Sequence, residues 1–299
     1  MPTPDLSALS SSFNEFGGKI FRKNINQLDL SDQGILVFKN VKTPIVLPKA
    51  SVSGGPRPYR AQDDVTTPAA ITDRTLTVRQ SKWDYDVEPE QWRNTYLAKW
   101  KPGAQQFADY INQIVAEEYL ANINDNTLYL GSYNAAGTTA ATIATGWGTI
   151  IANEIAASNL VAKTTTAITD GASALAAVGV ITAAAPVWMR KKGYRIFCSY
   201  TSFDWYAKGY KAANAYAFLP DATNRYRVDN QNCFLQPVSW MGTSGRLIAT
   251  IDNNLCMGTD GDNVDVSASV RRDIIEVRQK MPVGLEIADL DALVVSSNA

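Results

Sequence analysis

The sequence predicts an α+β fold. Stretches of two-residue apolar alternation, such as residues 74–87 and 271–281, are interspersed with stretches of helical period, such as residues 102–123 and 202–214. The two kinds do not alternate regularly, as the units of a parallel sheet would. The chain has 299 residues, 45% hydrophobic and 19% charged, enough for one elaborate core or two smaller ones.

Residues 1–30 are polar with scattered Leu9, Phe13, Phe16, Ile20 and Phe21, which predicts an arm that orders against a partner or the main body. Residues 34–47 hold two short apolar runs around Lys39 and Asn40, read as strands. Residues 48–68 are rich in Pro, Gly, Ser and Arg, and a loop of that length inside a compact domain is more often functional or disordered. In residues 74–87 the apolar face changes side: Leu76 and Val78 lie on one face, Trp83, Tyr85 and Val87 on the other. A slip of one in a two-residue repeat turns every later side chain over, so the ribbon carries a bulge or uses two surfaces. The expectation is an arm whose base packs on one body and whose aromatic tip, Trp83 and Tyr85, packs on another.

Pro89 opens a helix with an aromatic stripe, Trp92, Tyr96 and Trp100; Pro102 breaks it and starts the next. Phe107, Tyr110, Ile111, Ile114 and Val115 form the apolar face predicted for that second helix, with Asp109, Glu117 and Glu118 mostly facing away. Residues 127–153 and 171–189 carry no charge. A transmembrane reading fails on their Ala, Gly, Thr and Ser content and on Pro186. They predict instead two close-packed helices, 149–162 and 173–184. A helical turn then begins at Pro186 and ends in Arg190, Lys191, Lys192 and Gly193, the charge and cap order suited to a carboxyl end. Residues 194–200 read as a strand, and Thr201 to Asp204 as a capping box opening a helix over 202–214. Strands follow at 233–238, 246–250 and 271–281. Pro282, Val283 and Gly284 read as a turn before closing strands at 285–287 and 293–295.

No enzyme constellation emerges. The chain has no histidine, which removes Ser-His-Asp and Cys-His catalysis and imidazole ligation together. Cys198, Cys233 and Cys256 sit far apart in apolar settings and read as buried free thiols. Asp84, Asp86, Glu88 and Glu90 offer carboxylates about 7 Å apart along a strand, but nothing places a sugar between them; an acidic edge is the simpler reading. Asp260, Asp262 and Asp265 lack the glycine and terminal glutamate of a calcium loop. No cofactor motif occurs. Net charge is −1, so bulk attraction to nucleic acid or membrane is not expected. No secretory signal is visible either.

The carboxyl-terminal third adds a resemblance. The run from Cys233 through Gln236, Trp240, Gly245, Ala249, Thr250, Asn254, Leu255, Gly258 and Thr259 to Asp260, then Arg271, Arg272 and Asp273 and Pro282 to Gly284, resembles major capsid proteins of tailed bacteriophages with the Hong Kong 97 fold. The order of elements is similar throughout. The resemblance implies an N-arm at 1–30 and a peripheral-domain strand at 31–47. An E-loop hairpin would follow at 48–88 and a spine-helix region of the peripheral domain at 89–124. An axial domain would cover 125–262, and the chain would return to the peripheral domain at 263–299. It implies a shell of homo-hexamers and pentamers around double-stranded DNA held without sequence-specific contact, in a virion assembled in the host cytoplasm. A separate scaffolding protein and a portal are implied partners; a membrane is not. Intersubunit contacts are expected at Trp83 and Tyr85, and from Asp84, Asp86 or Glu88 to Arg57, Arg60, Arg271 or Arg272 of another copy. Lys49 and Lys82 lie in the loop with no identifiable cross-linking partner. The competing expectations are an encapsulin-like compartment shell and a hydrolase using the acidic strand.

Overall fold

The computed structural model describes residues 30, 32–52, 69–88, 104–214, 226–228, 231–259, 265–271 and 274–298. The helix expected around Trp92, Tyr96 and Trp100 and the loop carboxylates Asp260 and Asp262 lie outside them.

One five-stranded sheet is built on the long strand β11 (Ile274–Ile287). On one edge β4 (Arg79–Val87) pairs with it antiparallel over nine residues, from Val87 opposite Ile275 to Arg79 opposite Val283. The other edge is shared. There β10 (Asp265–Arg271) ends opposite Lys280, and β9 (Leu255–Thr259) begins opposite Val283. β1 (Leu36–Phe38) adds to β9 in parallel. Pro282 therefore lies where one neighbour has ended and the next has not begun, a position that tolerates a missing backbone donor. The turn expected at Pro282 to Gly284 is not there: β11 runs straight through it. The strand expected to start at Arg271 instead starts at Ile274, with β10 pairing back on it.

A second five-stranded sheet has the order β12 (Leu293–Val295), β8 (Ile248–Thr250), β5 (Tyr194–Cys198), β7 (Cys233–Pro237), β6 (Tyr226–Arg227). Its two-residue period divides two cores. Tyr194, Ile196, Cys198, Ala249 and Val294 face one cluster; Phe197, Ile248, Leu293 and Val295 face the other. The first cluster is closed by α3 (Gly171–Ala184) and α5 (Tyr200–Ala213), which approach so closely at Gly171 and Gly209 that a Cβ on either would strike the other's backbone. The second holds Trp240 among Trp147, Phe197 and Tyr129, at centroid distances of 5.1, 5.7 and 6.1 Å.

α1 (Ala104–Asn122) runs on into a π-helical turn, Ile123–Thr127, where the Leu128 N–H reaches the Ile123 carbonyl. Among its described side chains Ala116, Tyr119 and Leu120 are buried, as is Ile123 beyond it, whereas Ile114, expected on the apolar face, is 44% exposed; the side chains of Phe107, Tyr110 and Ile111 lie outside the described residues. Tyr119 rests on β4 through Ser81 and Trp83. α2 (Trp147–Ala156) and α3 are helices as expected, but they do not form the anticipated pair: α2 belongs to the Trp240 cluster and α3 packs on α5. α3 is capped by Asp170 and Ser173 in a reciprocal box. α4 (Val187–Lys192) follows Pro186 and stops at Gly193, φ 89°, as read from sequence. α5 starts earlier than expected, with Ser199 rather than Thr201 as its cap, accepting from the Ser202 N–H. The three cysteines are free and buried; burial raises the thiol of Cys233 to about 11 and that of Cys256 to about 12. Among the described residues no helix is long and apolar enough to cross a membrane.

Two segments link the sheets, residues 251–254 between β8 and β9 and residues 288–292 between β11 and β12. Asn254, buried, donates to Thr250 Oγ1 at 2.8 Å and to the Asp289 carbonyl at 2.9 Å, and accepts from the Asp289 N–H at 2.7 Å. Asn254→Ala would strand these groups and is expected to cost about 2–3 kcal/mol, read as a lower urea midpoint.

Candidate functional site

The element that stands off this body is a hairpin, β2 (Ile45–Val52) paired with β3 (Ala69–Leu76). Its strands pair with each other and with neither large sheet. The predicted slip in residues 74–87 is real and falls at Thr77 and Val78, where β3 ends and β4 begins. There the chain crosses the body sheet directly above Gly258 and Gly284, register partners on β9 and β11. A Cβ on Gly284 would lie 2.5 Å from the Thr77 carbonyl oxygen, and one on Gly258 would lie 2.9 Å from Val78 Cγ1. Two missing side chains make the groove in which the elbow rests.

Beyond the elbow, ion pairs fix the inner face of the hairpin. Arg74 spans Glu154 on α2 at 2.8 Å and Glu286 on β11 at 2.7 Å, with side-chain exposures of 24%, 16% and 16%, so these pairs are little screened by water. Lys49 reaches Asp289 at 2.6 Å and also pairs with Asp291. Asp289 is the residue whose backbone Asn254 clamps, so the hairpin is tied to the segments joining the two sheets.

The titration directions set the window for this anchoring. Burial alone would raise the Glu154 carboxyl, but hydrogen bonds from Asn159 and Arg74 outweigh it and hold it below its ordinary 4.5. A lowered carboxylate contributes stability above its ordinary value and loses it as pH falls through the folded one. Lys49 is held above its ordinary 10.5, chiefly by its hydrogen bonds to Asp289 and Asp291, so its contribution disappears as pH rises past that value. Protection of the β2 and β3 amides, measured against the intrinsic exchange rate at each pH, is therefore expected to hold between about pH 5 and 10 and to fall on both sides before that of β11 does.

Of the residues expected to contact a neighbour, the aromatic pair belongs to the root of the excursion and not to its tip. Trp83 is half-buried against the Trp240 cluster, with its ring 5.8 Å from that of Tyr119. Tyr85 is half-buried, its hydroxyl receives a hydrogen bond from Gln279 at 3.3 Å, and burial raises its pKa. The reason is register: β4 is bonded along its length to β11, and α1 covers the face that carries Trp83. Trp83→Ala is consequently expected to cost the isolated subunit about 2–3 kcal/mol, somewhat less than a fully buried tryptophan, measured by urea unfolding. Asp84 bonds Lys82 and accepts from Arg278 Nε at 2.8 Å within its own chain. Asp86, opposite Glu276, and Glu88 are exposed. Arg271 ends β10; Arg57, Arg60 and Arg272 lie outside the described residues.

Among the described residues, two groups of exposed apolar side chains stand out. The outer hairpin face carries Val46, 53% exposed, and Ile71, 69% exposed. On α3 and α4, a run without charge from Gly171 to Met189, only one side is covered: Val180, Val187 and Trp188 are 39%, 67% and 45% exposed. A helix apolar on all sides belongs in an interior, and this one has water on half its surface. Beside the hairpin elbow, Thr77, Arg79, Tyr133, Ile150, Asn153 and Leu285 help line a cleft of about 290 Å³. No cluster of His, Cys, Asp and Glu fit for a metal occurs among the described residues.

By sequence, no protein-family model and no curated protein matches the chain. By fold it is similar to solved capsid structures. A chain of the capsid of Myoviridae phage XM1 aligns with TM-score 0.56 and 15% identity over 89% of this chain and 90% of that one. A chain of the satellite phage P4 procapsid including size determination (Sid) protein aligns with TM-score 0.53 and 10% identity over 99% and 91%. The capsid of a native GTA particle gives TM-score 0.51 and 12% identity over 89% and 88%. The fold is an α+β phage-capsid fold, and it extends over nearly the whole chain.

Proposed function

We propose that this chain is the major capsid protein of a tailed phage, assembling with copies of itself into hexamers and pentamers of an icosahedral head around double-stranded DNA. The observation that carries the reading is the hairpin: a two-stranded element anchored at its root, with an uncovered apolar outer face, on a body whose fold matches capsid chains nearly end to end. An exposed apolar face on a standing-off element suits a partner that repeats. The half-covered α3–α4 face is a second surface of the same kind. On this reading residues 125–262 belong to the axial part of each capsomer and residues 31–47, 89–124 and 263–299 to its periphery, with β9 and β12 each joining the other part's sheet. Of the expected E-loop, 48–88, the hairpin part up to residue 76 reaches a neighbour while β4 stays in the body; residues 1–30 form an arm, and a separate scaffolding protein and a portal complete the head in the host cytoplasm. The shell needs no catalytic or cofactor site.

Purified protein examined by electron microscopy, with nuclease treatment of material from infected or expressing cells, tests this. Closed shells holding nuclease-protected DNA are expected. Shells filled with protein cargo would instead indicate a compartment of the encapsulin kind, and a monomer that never associates would end the shell reading.

A further inference from the structure

We propose that the cleft at the hairpin elbow is a receptor for an acidic side chain of a second copy of this chain, and that Asp73 of that copy fills it; this rests on the shell-forming reading above. Four charged residues are described on the hairpin and its elbow. Lys49 and Arg74 are paired within the chain, whereas Asp73 and Arg79 have no ion-pair partner among the described residues. The Arg79 guanidinium carbon lies over the Tyr133 ring, 4.4 Å from its centroid. That contact holds the cation at the cleft, where a carboxylate can take its N–H groups. Thr77 and Asn153 add polar groups to the wall and Ile150 and Leu285 an apolar floor; Glu154 and Glu286 line it too, but both are paired with Arg74, which leaves Arg79 as the cation without an ion-pair partner among the described residues. Asp73 is the complementary shape. It stands on the outer hairpin face, opposite Pro48, with exposed Val46 and Ile71 nearby. Within one copy the two groups do not pair: the elbow at Thr77 and Val78 lies between them, and no ion pair joins them among the described residues. A charge flanked by apolar groups on one surface thus matches the opposite charge beside an apolar floor on another, and pairing them head to tail generates a ring.

The test is a charge exchange. Asp73→Arg and Arg79→Glu are each expected to raise the subunit concentration needed for assembly at least several-fold, with unchanged melting of the unassembled protein, and the double exchange should restore it. Light scattering and electron microscopy read the outcome. As a check independent of folding, chains carrying Asp73→Cys are mixed with chains carrying Arg79→Cys and oxidised during assembly; the native cysteines are buried, and a disulfide-linked heterodimer is expected. If the wild-type protein forms shells while both single exchanges assemble like it, or no heterodimer appears, the pairing is wrong and the shell reading stands. If the wild-type protein forms no shell, both fall together.

Discussion

Gly284→Val is expected to unseat the hairpin and lower subunit stability by about 3 kcal/mol, at the upper end of what overpacking costs. The argument is steric. The new Cβ would sit 2.5 Å from the Thr77 carbonyl oxygen and 2.9 Å from Val78 Cα, both main-chain atoms that cannot rotate away. The strand beneath cannot yield either, because β11 is bonded on one side to β4 and on the other to β9. The elbow must therefore lift, and lifting it pulls Arg74 from Glu154 and Glu286. Gly258→Ala is the milder control. Its Cβ meets the side-chain ends of Val78 and Leu76, which can shift by a few tenths of an ångström, so about 1 kcal/mol is expected. Urea midpoints with hydrogen exchange resolved to β2 and β3 measure both. Equal, small losses in the two variants would mean that the elbow does not rest on the glycine pair.

Much of this fold could be read along the chain, and the misses share a cause. Helical period marks α1, charge-free runs of small residues mark α2 and α3, and a capping signal marks α5, because each of these is a continuous local pattern. The slip in residues 74–87 was readable for the same reason, as a change of face within one ribbon. Which half was root and which was tip could not be read, because that depends on β11, some two hundred positions further on. Arg74 was placed on a strand but its role was invisible: Glu286 lies 212 residues away. Pro282 and Gly284 carried turn chemistry that a change of neighbouring strand had made unnecessary. Asn254 and Gly258 sit inside the stretch that resembles capsid proteins. Their tasks, clamping Asp289 and leaving room for Leu76 and Val78, became visible only in three dimensions.

Excising the hairpin is expected to abolish shell formation while leaving a folded subunit. Ile45 and Leu76 are register partners, so a short Asn-Gly-containing turn can join them in place of residues 46–75 without stretching the body. The cut must stop there: β4 is an integral edge of the sheet on β11, and a deletion that reached Trp83 would remove core. The excision does take away Arg74 and Lys49, and it leaves Glu154 and Glu286 as half-buried carboxylates without their cation. Removing one partner of such a group costs more than the pair contributes, so the plain deletion should melt lower. Adding Glu154→Gln and Glu286→Gln removes the stranded charges and should recover most of that loss. The recovered variant separates folding from assembly: cooperative melting close to the parent, with no particles larger than a subunit by sedimentation or electron microscopy. Shells formed by it would mean that the outer hairpin face, Val46 and Ile71 included, is dispensable and that association runs through another surface, with the exposed α3–α4 face as the next to alter. Failure to fold even with the carboxylates neutralised would make the hairpin part of the subunit's own core.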